Sequence, residues 1–207
     1  MITKEEVFDS PYPSATRLTR MFTPAQLSKS IPAHALKNAT NKGTAFHKFA
    51  QEYVDKVQKD KKPYIPVYDL EYIEYEQQFV EWFNEIYDPE DSYDTEMAII
   101  DDVIRIKGFI DLVIYQPRKK LIQVVDYKTS AQLNKFSYPM QVQIYMELAY
   151  NNLDKIITNV EGTLVQFTKT KYKEVSVSMA PEGMVKGLSD TFAEYEEIFR
   201  KEDKKKS

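Results

Sequence analysis

Residues 108–130, GFIDLVIYQPRKKLIQVVDYKTS, decide how this chain folds. Phe109-Ile110-Asp111-Leu112-Val113-Ile114-Tyr115 and Leu121-Ile122-Gln123-Val124-Val125-Asp126-Tyr127-Lys128 are rich in β-branched and aromatic residues, and Gln116-Pro117-Arg118-Lys119-Lys120 between them is turn material. Each predicted strand carries a carboxylate where a core residue is expected. Asp126 and Lys128 are two apart, so in a strand both side chains leave one face. With the turn at Pro117 to Lys120, Gln116 pairs with Leu121. The same register sets Asp111 opposite Asp126, with Lys128 one step along.

Two facing carboxylates repel and destabilise a sheet, and burial would drive one of them toward its protonated form. A hard divalent cation reverses that sign, since it takes carboxylates together with substrate phosphate oxygens. A neighbouring amine can then hold or deprotonate an attacking water. Asp-x-Lys also occurs at Asp60-Lys61-Lys62 and Asp203-Lys204-Lys205, both in charged stretches. Only Asp126-Tyr127-Lys128 closes an apolar strand that follows another acid-bearing strand. On spacing alone a metal site and a strand end with a surface ion pair stand level.

The 207 residues fit one domain with a sizeable core. With no cysteine, disulfides, zinc–thiolate sites and iron–sulfur clusters are excluded. No run is long and apolar enough to span a membrane, and no signal peptide is evident, so a soluble cytoplasmic protein is expected. A net charge of −4 argues against non-specific coating of nucleic acid, but not against a nuclease with a local cationic groove.

In chain order, residues 1–9 read as a polar lead-in and Ser10 to Ser14 as extended, because residues before proline avoid helix. Ser14 caps a short helix containing Thr16 and Arg17, and Thr23-Pro24 opens a second. Ser14, Thr16, Arg17 and Arg20 could meet a phosphate, although a cap with solvated arginines is the commoner arrangement. Asn41-Lys42-Gly43-Thr44 breaks the chain before a helix from Ala45 to about Gln58, whose buried stripe is Phe46, Phe49, Ala50, Tyr53, Val54 and Val57. His47 edges that stripe, where a histidine is usually structural. A helix from Glu71 to Tyr87 carries aromatics that suit a core better than base stacking. Strands follow at Glu96–Ile100 and Val103–Ile106, around an Asp101-Asp102 turn. Glu96 is a candidate for a further acid near the metals, a reading the spacing does not favour. Ser137 caps a helix to about Tyr150 that places Gln141 and Tyr145 on one face. Strands Gly162–Phe167 and Tyr172–Val177 and a helix from Pro181 to Arg200 complete the chain. The succession predicts an α/β or α+β fold, a central mixed sheet flanked by helices.

Five elements in order, spread from Pro13 to Tyr145, resemble the PD-(D/E)XK nuclease superfamily and its RecB-like branch, including the phage-type and mitochondrial genome-maintenance-type exonucleases. They are Pro13-Ser14-Ala15-Thr16, Gly43-Thr44-Ala45-Phe46-His47, Gly108-Phe109-Ile110-Asp111, Asp126-Tyr127-Lys128-Thr129-Ser130 and Gln141-Val142-Gln143-Ile144-Tyr145. The resemblance implies a restriction-endonuclease-like core in a single domain over 1–207, with a helical lead-in to 42, a core over 43–200 and a charged tail. It implies Mg²⁺ or Mn²⁺ ligated by Asp111, Asp126, His47 and the Tyr127 carbonyl, with Lys128 positioning the attacking water. Gln141 and Tyr145 would support the lysine and the DNA backbone, and Ser14 and Thr16, with Arg17 beside them, would lie near phosphates. The implied activity is exonucleolytic, on single-stranded DNA or DNA ends, in recombination, repair or phage DNA processing in a bacterial or phage-infected cell. A recombination or single-strand-binding protein is an implied partner. A structure-specific or sequence-specific endonuclease and a catalytically idle binding module are the rivals. Ile110 stands where the superfamily's name has proline, which this branch tolerates.

Overall fold

The expected hairpin forms, and its register is the one the turn dictates. In the structure, a computed structural model that describes residues 2–20, 33–152 and 159–206, strand β2 (Ile106–Gln116) pairs antiparallel with β3 (Leu121–Lys128). Gln116 stands opposite Leu121, across a 3₁₀ turn at Pro117–Lys119 that Lys120 closes in the left-handed region. Around this hairpin lie α1 (Lys4–Asp9), α2 (Ala15–Thr19), α3 (Ala33–Asp60), α4 (Ile73–Ile86), β1 (Ser92–Asp101), α5 (Ser137–Asn152), β4 (Asn159–Phe167), β5 (Tyr172–Val177) and α6 (Met184–Lys206). The strands form one sheet in the order β1-β2-β3-β4-β5, antiparallel except for the parallel β3–β4 pair. This is the mixed, helix-flanked α/β sheet expected of a restriction-endonuclease-like fold.

Both faces of the sheet are covered. Ala15 and Leu18 of α2, Val142 and Leu148 of α5, and Val185 and Phe192 of α6 pack against Ile110, Val113 and Val124. On the other face, Phe46 and Tyr53 of α3 and Phe79, Trp82 and Phe83 of α4 pack against Leu112, Ile114, Val125, Tyr127 and Phe167. The aromatics of α4 are therefore core, with Phe79, Trp82 and Phe83 fully buried.

Several elements differ from their sequence reading. The lead-in contains α1, which Thr3 and Glu6 cap reciprocally. Val103 and Ile104 form a turn rather than a strand, because the Asp101 carboxylate accepts both of their N–H groups, at 2.8 and 2.9 Å. Its other oxygen takes the carboxamides of Asn151 and Asn152, and β2 then runs unbroken. Asn41 to Thr44 lies inside α3. An interior glycine costs a helix only about 1 kcal/mol, which the buried stripe from Phe46 onward outweighs. Asn134, not Ser137, receives the N–H groups that open α5, those of Phe136 and Ser137 at 2.9 Å each. β4 begins at Asn159, three residues before the expected start, and α6 continues to Lys206. The helix expected at Thr23-Pro24 lies outside the described residues.

Glycine lets α5 lie close on the sheet. A Cβ at Gly162 would sit 2.4 Å from Met146 Sδ and 2.7 Å from Val142 Cγ1. Gly162→Ala should therefore lower stability by about 1–3 kcal/mol, read as a fall in denaturant midpoint at unchanged slope. A loss below about 0.5 kcal/mol, the range of an ordinary surface change, would mean that α5 gives way freely.

Candidate active site

The ladder between β2 and β3 ends at Leu112 and Val125, one step before Asp111 and Asp126. In place of the next rung, the backbone N–H of Tyr127 donates to Asp111 Oδ2 at 2.7 Å. The strands thus part where the two carboxylates would otherwise meet face to face.

The β1–β2 pair is disturbed at the same level. Thr95 pairs with Leu112 and Met97 with Ile110, but Glu96 and Asp111 between them are not paired. Tyr93 and Leu112 pack into the α3–α4 core, whereas Met97, Ile99 and Ile110 pack on the opposite face. Residues two apart in a regular strand keep to one face, so both strands turn over between those pairs. Glu96 makes this turn with a φ of +48°, a conformation that costs a non-glycine residue of the order of 1–3 kcal/mol.

Into this opening α3 delivers His47, one residue after the buried Phe46. His47 Nδ1 lies 3.3 Å from Asp111 Oδ1 and 3.5 Å from Glu96 Oε1. Burial works to lower the His47 pKa, yet Asp111 and Glu96 carry it up to about 10. Burial likewise opposes ionisation of Asp111, but His47, with Lys128 beyond, holds that carboxyl below its usual range. Burial dominates at Asp126 and pushes its carboxyl up to about 6, with Lys128 opposing the rise and Asp111 adding to it.

Lys128 Nζ is 2.5 Å from Asp126 Oδ2 and 5.1 Å from the Tyr138 ring centroid. Burial works against its charge, but the two aspartates more than compensate and keep it an ammonium. From α5, Gln141 Nε2 donates to Tyr145 Oη at 3.1 Å and to Thr16 Oγ1 at 3.3 Å. A Cβ at Gly108 would lie 2.8 Å from Tyr145 Cε1, so the glycine admits that phenol.

One cavity of about 650 Å³ is lined by Ser14, Thr16, His47, Asp111, Asp126, Lys128, Gln141 and Tyr145, together with Glu96, Lys107, Phe109 and Tyr138. One of the sequence candidates is placed elsewhere. Arg17 pairs with Glu196 and sits 5.3 Å over the Phe192 ring, outside this lining. The Tyr127 side chain belongs to the core, its ring buried among Phe46, Phe79, Trp82 and Phe167, so the residue's part in a metal site is limited to its carbonyl. Glu96 is the residue that strand spacing undervalued. Odd positions from Tyr93 to Ile99 look continuous in sequence, and a positive φ leaves no mark there.

The donor set fits a divalent cation. His47, Glu96 and Asp111 each offer a ligand atom, all within 4.8 Å of one another. Asp126 is fully buried, and its Oδ1 has no hydrogen-bond partner among the described residues. Its Oδ2 meets the Lys128 ammonium. A buried carboxylate oxygen without a partner is costly, and two acids with an imidazole are hard and borderline ligands of the kind such ions take.

The model of the PD-(D/E)XK nuclease superfamily matches residues 17–205, and the chain belongs to that superfamily. No curated protein matches it. Among solved structures 21 chains match. One, described as "Crystal structure of SSO0001", is 25% identical, with a TM-score of 0.36 over 47% of this chain and 48% of that one. The chain thus spans about half the length of that structure.

Glu96→Gln should weaken Mn²⁺ binding in a calorimetric titration by roughly tenfold or more, the scale on which a partner in a metal site matters. Unchanged affinity would make Glu96 a purely structural acid.

Proposed function

We propose that this chain is a DNA exonuclease of the RecB-like branch, dependent on Mg²⁺ or Mn²⁺ and acting on single strands or free ends. The observation that carries the reading is the convergence of Asp111, Asp126 and Lys128 with His47 and Glu96 in one cavity, where Asp126 turns one oxygen to Lys128 and leaves the other buried without a hydrogen-bond partner among the described residues. Asp111, Asp126, Glu96 and His47 would hold the metal, and the Tyr127 carbonyl is a further candidate. A divalent ion bound there would polarise the phosphate and lower the pKa of a bound water.

The chain's own groups supply the rest. Lys128, kept charged by the aspartates, would orient the attacking water or stabilise the negative charge that develops on the phosphate. Gln141 would hold the Tyr145 hydroxyl toward the cavity, and Thr16 and Ser14 would offer hydroxyls to the substrate backbone. Arg17 would contribute to DNA binding only after leaving Glu196. The setting we propose is DNA recombination, repair or phage DNA processing in the cytoplasm of a bacterial or phage-infected cell, with a recombination or single-strand-binding protein as partner. It follows from the branch resemblance.

The test is incubation with linear and circular single-stranded DNA in Mg²⁺, Mn²⁺ or EDTA. Loss of linear DNA only, and only with metal, is expected. Cutting of circles would make the enzyme an endonuclease, and no metal-dependent loss would leave a binding module. Lys128→Ala should reduce cleavage by about 10²–10³-fold, the scale of losing one electrostatic donor in a buried site. Metal and DNA binding should persist, and a variant that still cuts at the wild-type rate would remove Lys128 from the chemistry. His47→Ala should weaken metal affinity in calorimetry, and unchanged binding would return His47 to a structural role.

A further inference from the structure

The cavity does not stop at the acids. Lys107, Phe109 and Asp111 alternate along β2, and all three line it, with Val7 and Phe8 of α1 beyond. Phe8 is 71% exposed and presents a large apolar ring at the edge of this polar site. Its ring lies 5.3 Å from that of Phe109 at an interplanar angle of 45°, and the Lys4 ammonium is 6.0 Å from the Phe109 centroid.

The Phe8 ring is held in place without being covered. The Lys107 ammonium accepts no role at the acids. It donates to the carbonyl oxygens of Phe8 at 3.1 Å and Ser10 at 2.6 Å. The Lys107 backbone N–H donates to the Pro13 carbonyl, and Lys107 pairs with Ser14 in a short parallel bridge. The capping box at Thr3 and Glu6 fixes the other end of α1. These bonds hold the backbone that carries the exposed ring at a set place on the cavity wall.

We propose that the exposed Phe8 ring, braced by Phe109, is a stacking shelf for an unpaired nucleobase, one nucleotide away from the bond to be cut. Phe109 and Asp111 are two residues apart on β2, about 7 Å along a strand, which is close to one nucleotide step of an extended single strand. A phosphate at the acids therefore brings a neighbouring base over the Phe8 ring. Lys4 supplies a cation for that nucleotide's own phosphate, in the pairing of aromatic platform and positive charge that holds single strands without reading sequence. A base stacked in a duplex cannot lie on the shelf, so the surface selects single-stranded or frayed ends. The inference rests on the nuclease reading and gives its substrate class a structural cause.

The test is equilibrium binding of short single-stranded oligonucleotides in Mg²⁺, with phosphorothioate linkages at both ends to slow cleavage. Each oligonucleotide carries one abasic residue, moved a position at a time inward from either end. Wild-type protein should lose about tenfold in affinity when the abasic residue falls at one particular position, within the range of base–aromatic stacking. Phe8→Ala should bind that oligonucleotide and the intact one alike, and Phe8→Trp should restore the difference. No sensitive position in the wild type, or a difference that survives Phe8→Ala, would overturn the shelf while the nuclease reading stands. Failure of the wild type to bind any of the oligonucleotides would overturn both.

Discussion

Asp111 answers a backbone donor, and much of the molecule follows from that bond. Where β2 and β3 separate, the N–H of Tyr127 would be left unpaired in a buried place, a loss comparable to a broken hydrogen bond. The Asp111 carboxylate takes it at 2.7 Å, so the hairpin can open without orphaning its own main chain. The opening keeps two like charges from standing rung to rung, and it creates the space in which Asp126, His47 and Lys128 meet. One carboxylate oxygen of Asp111 serves the fold and the other faces His47.

The two hydrophobic layers explain how such an opening is held. Asp126 and Gln141 are reached from the face that α5 covers, His47 from the face that α3 covers, and the split in the sheet is where the two sets come together. Gly108 and Gly162 bring α5 within reach, since a methyl group at either would strike Tyr145 or Met146. On the far side Lys42, on the same helix as His47, donates to the Thr129 carbonyl at 2.8 Å, directly after Lys128. Gln166 holds the Ser130 carbonyl at 2.7 Å. The end of β3 is thus gripped from the α3 layer and from the neighbouring strand β4, which limits how far the ammonium can drift from Asp126.

The hairpin register, the mixed sheet and most of the cavity lining were legible because they depend on local rules. Turn chemistry sets Gln116 opposite Leu121, two-residue alternation sets Asp126 beside Lys128, and four-residue spacing sets Gln141 beside Tyr145. What stayed hidden depends on the backbone leaving those rules. Glu96 enters because its own φ is positive, and the helix through Gly43 survives because tertiary packing outweighs one weak residue. Arg17 has the right neighbours in sequence but finds Glu196 far along the chain, a partner no local pattern names. Phe8 lies in a stretch that looks like polar lead-in, and only the fold sets it beside Phe109.

As the nuclease proposed above, a chain of net charge −4 with an acidic centre would have to draw in a polyanion locally. Lys4 and Lys48 line a second cavity that shares His47 and Glu96 with the first, and Lys128 stands beside Asp126, so cations flank the acids on both sides. At physiological salt charges act over about 8 Å, so these nearby lysines govern the approach of a phosphate while distant acids on the surface are screened. Acids buried at the centre and lysines at its edges also sort the substrate by position. On the proposed reading a phosphate would be repelled by the bare carboxylates and held beside them until a cation joined the two, which would tie binding in register to the presence of the metal.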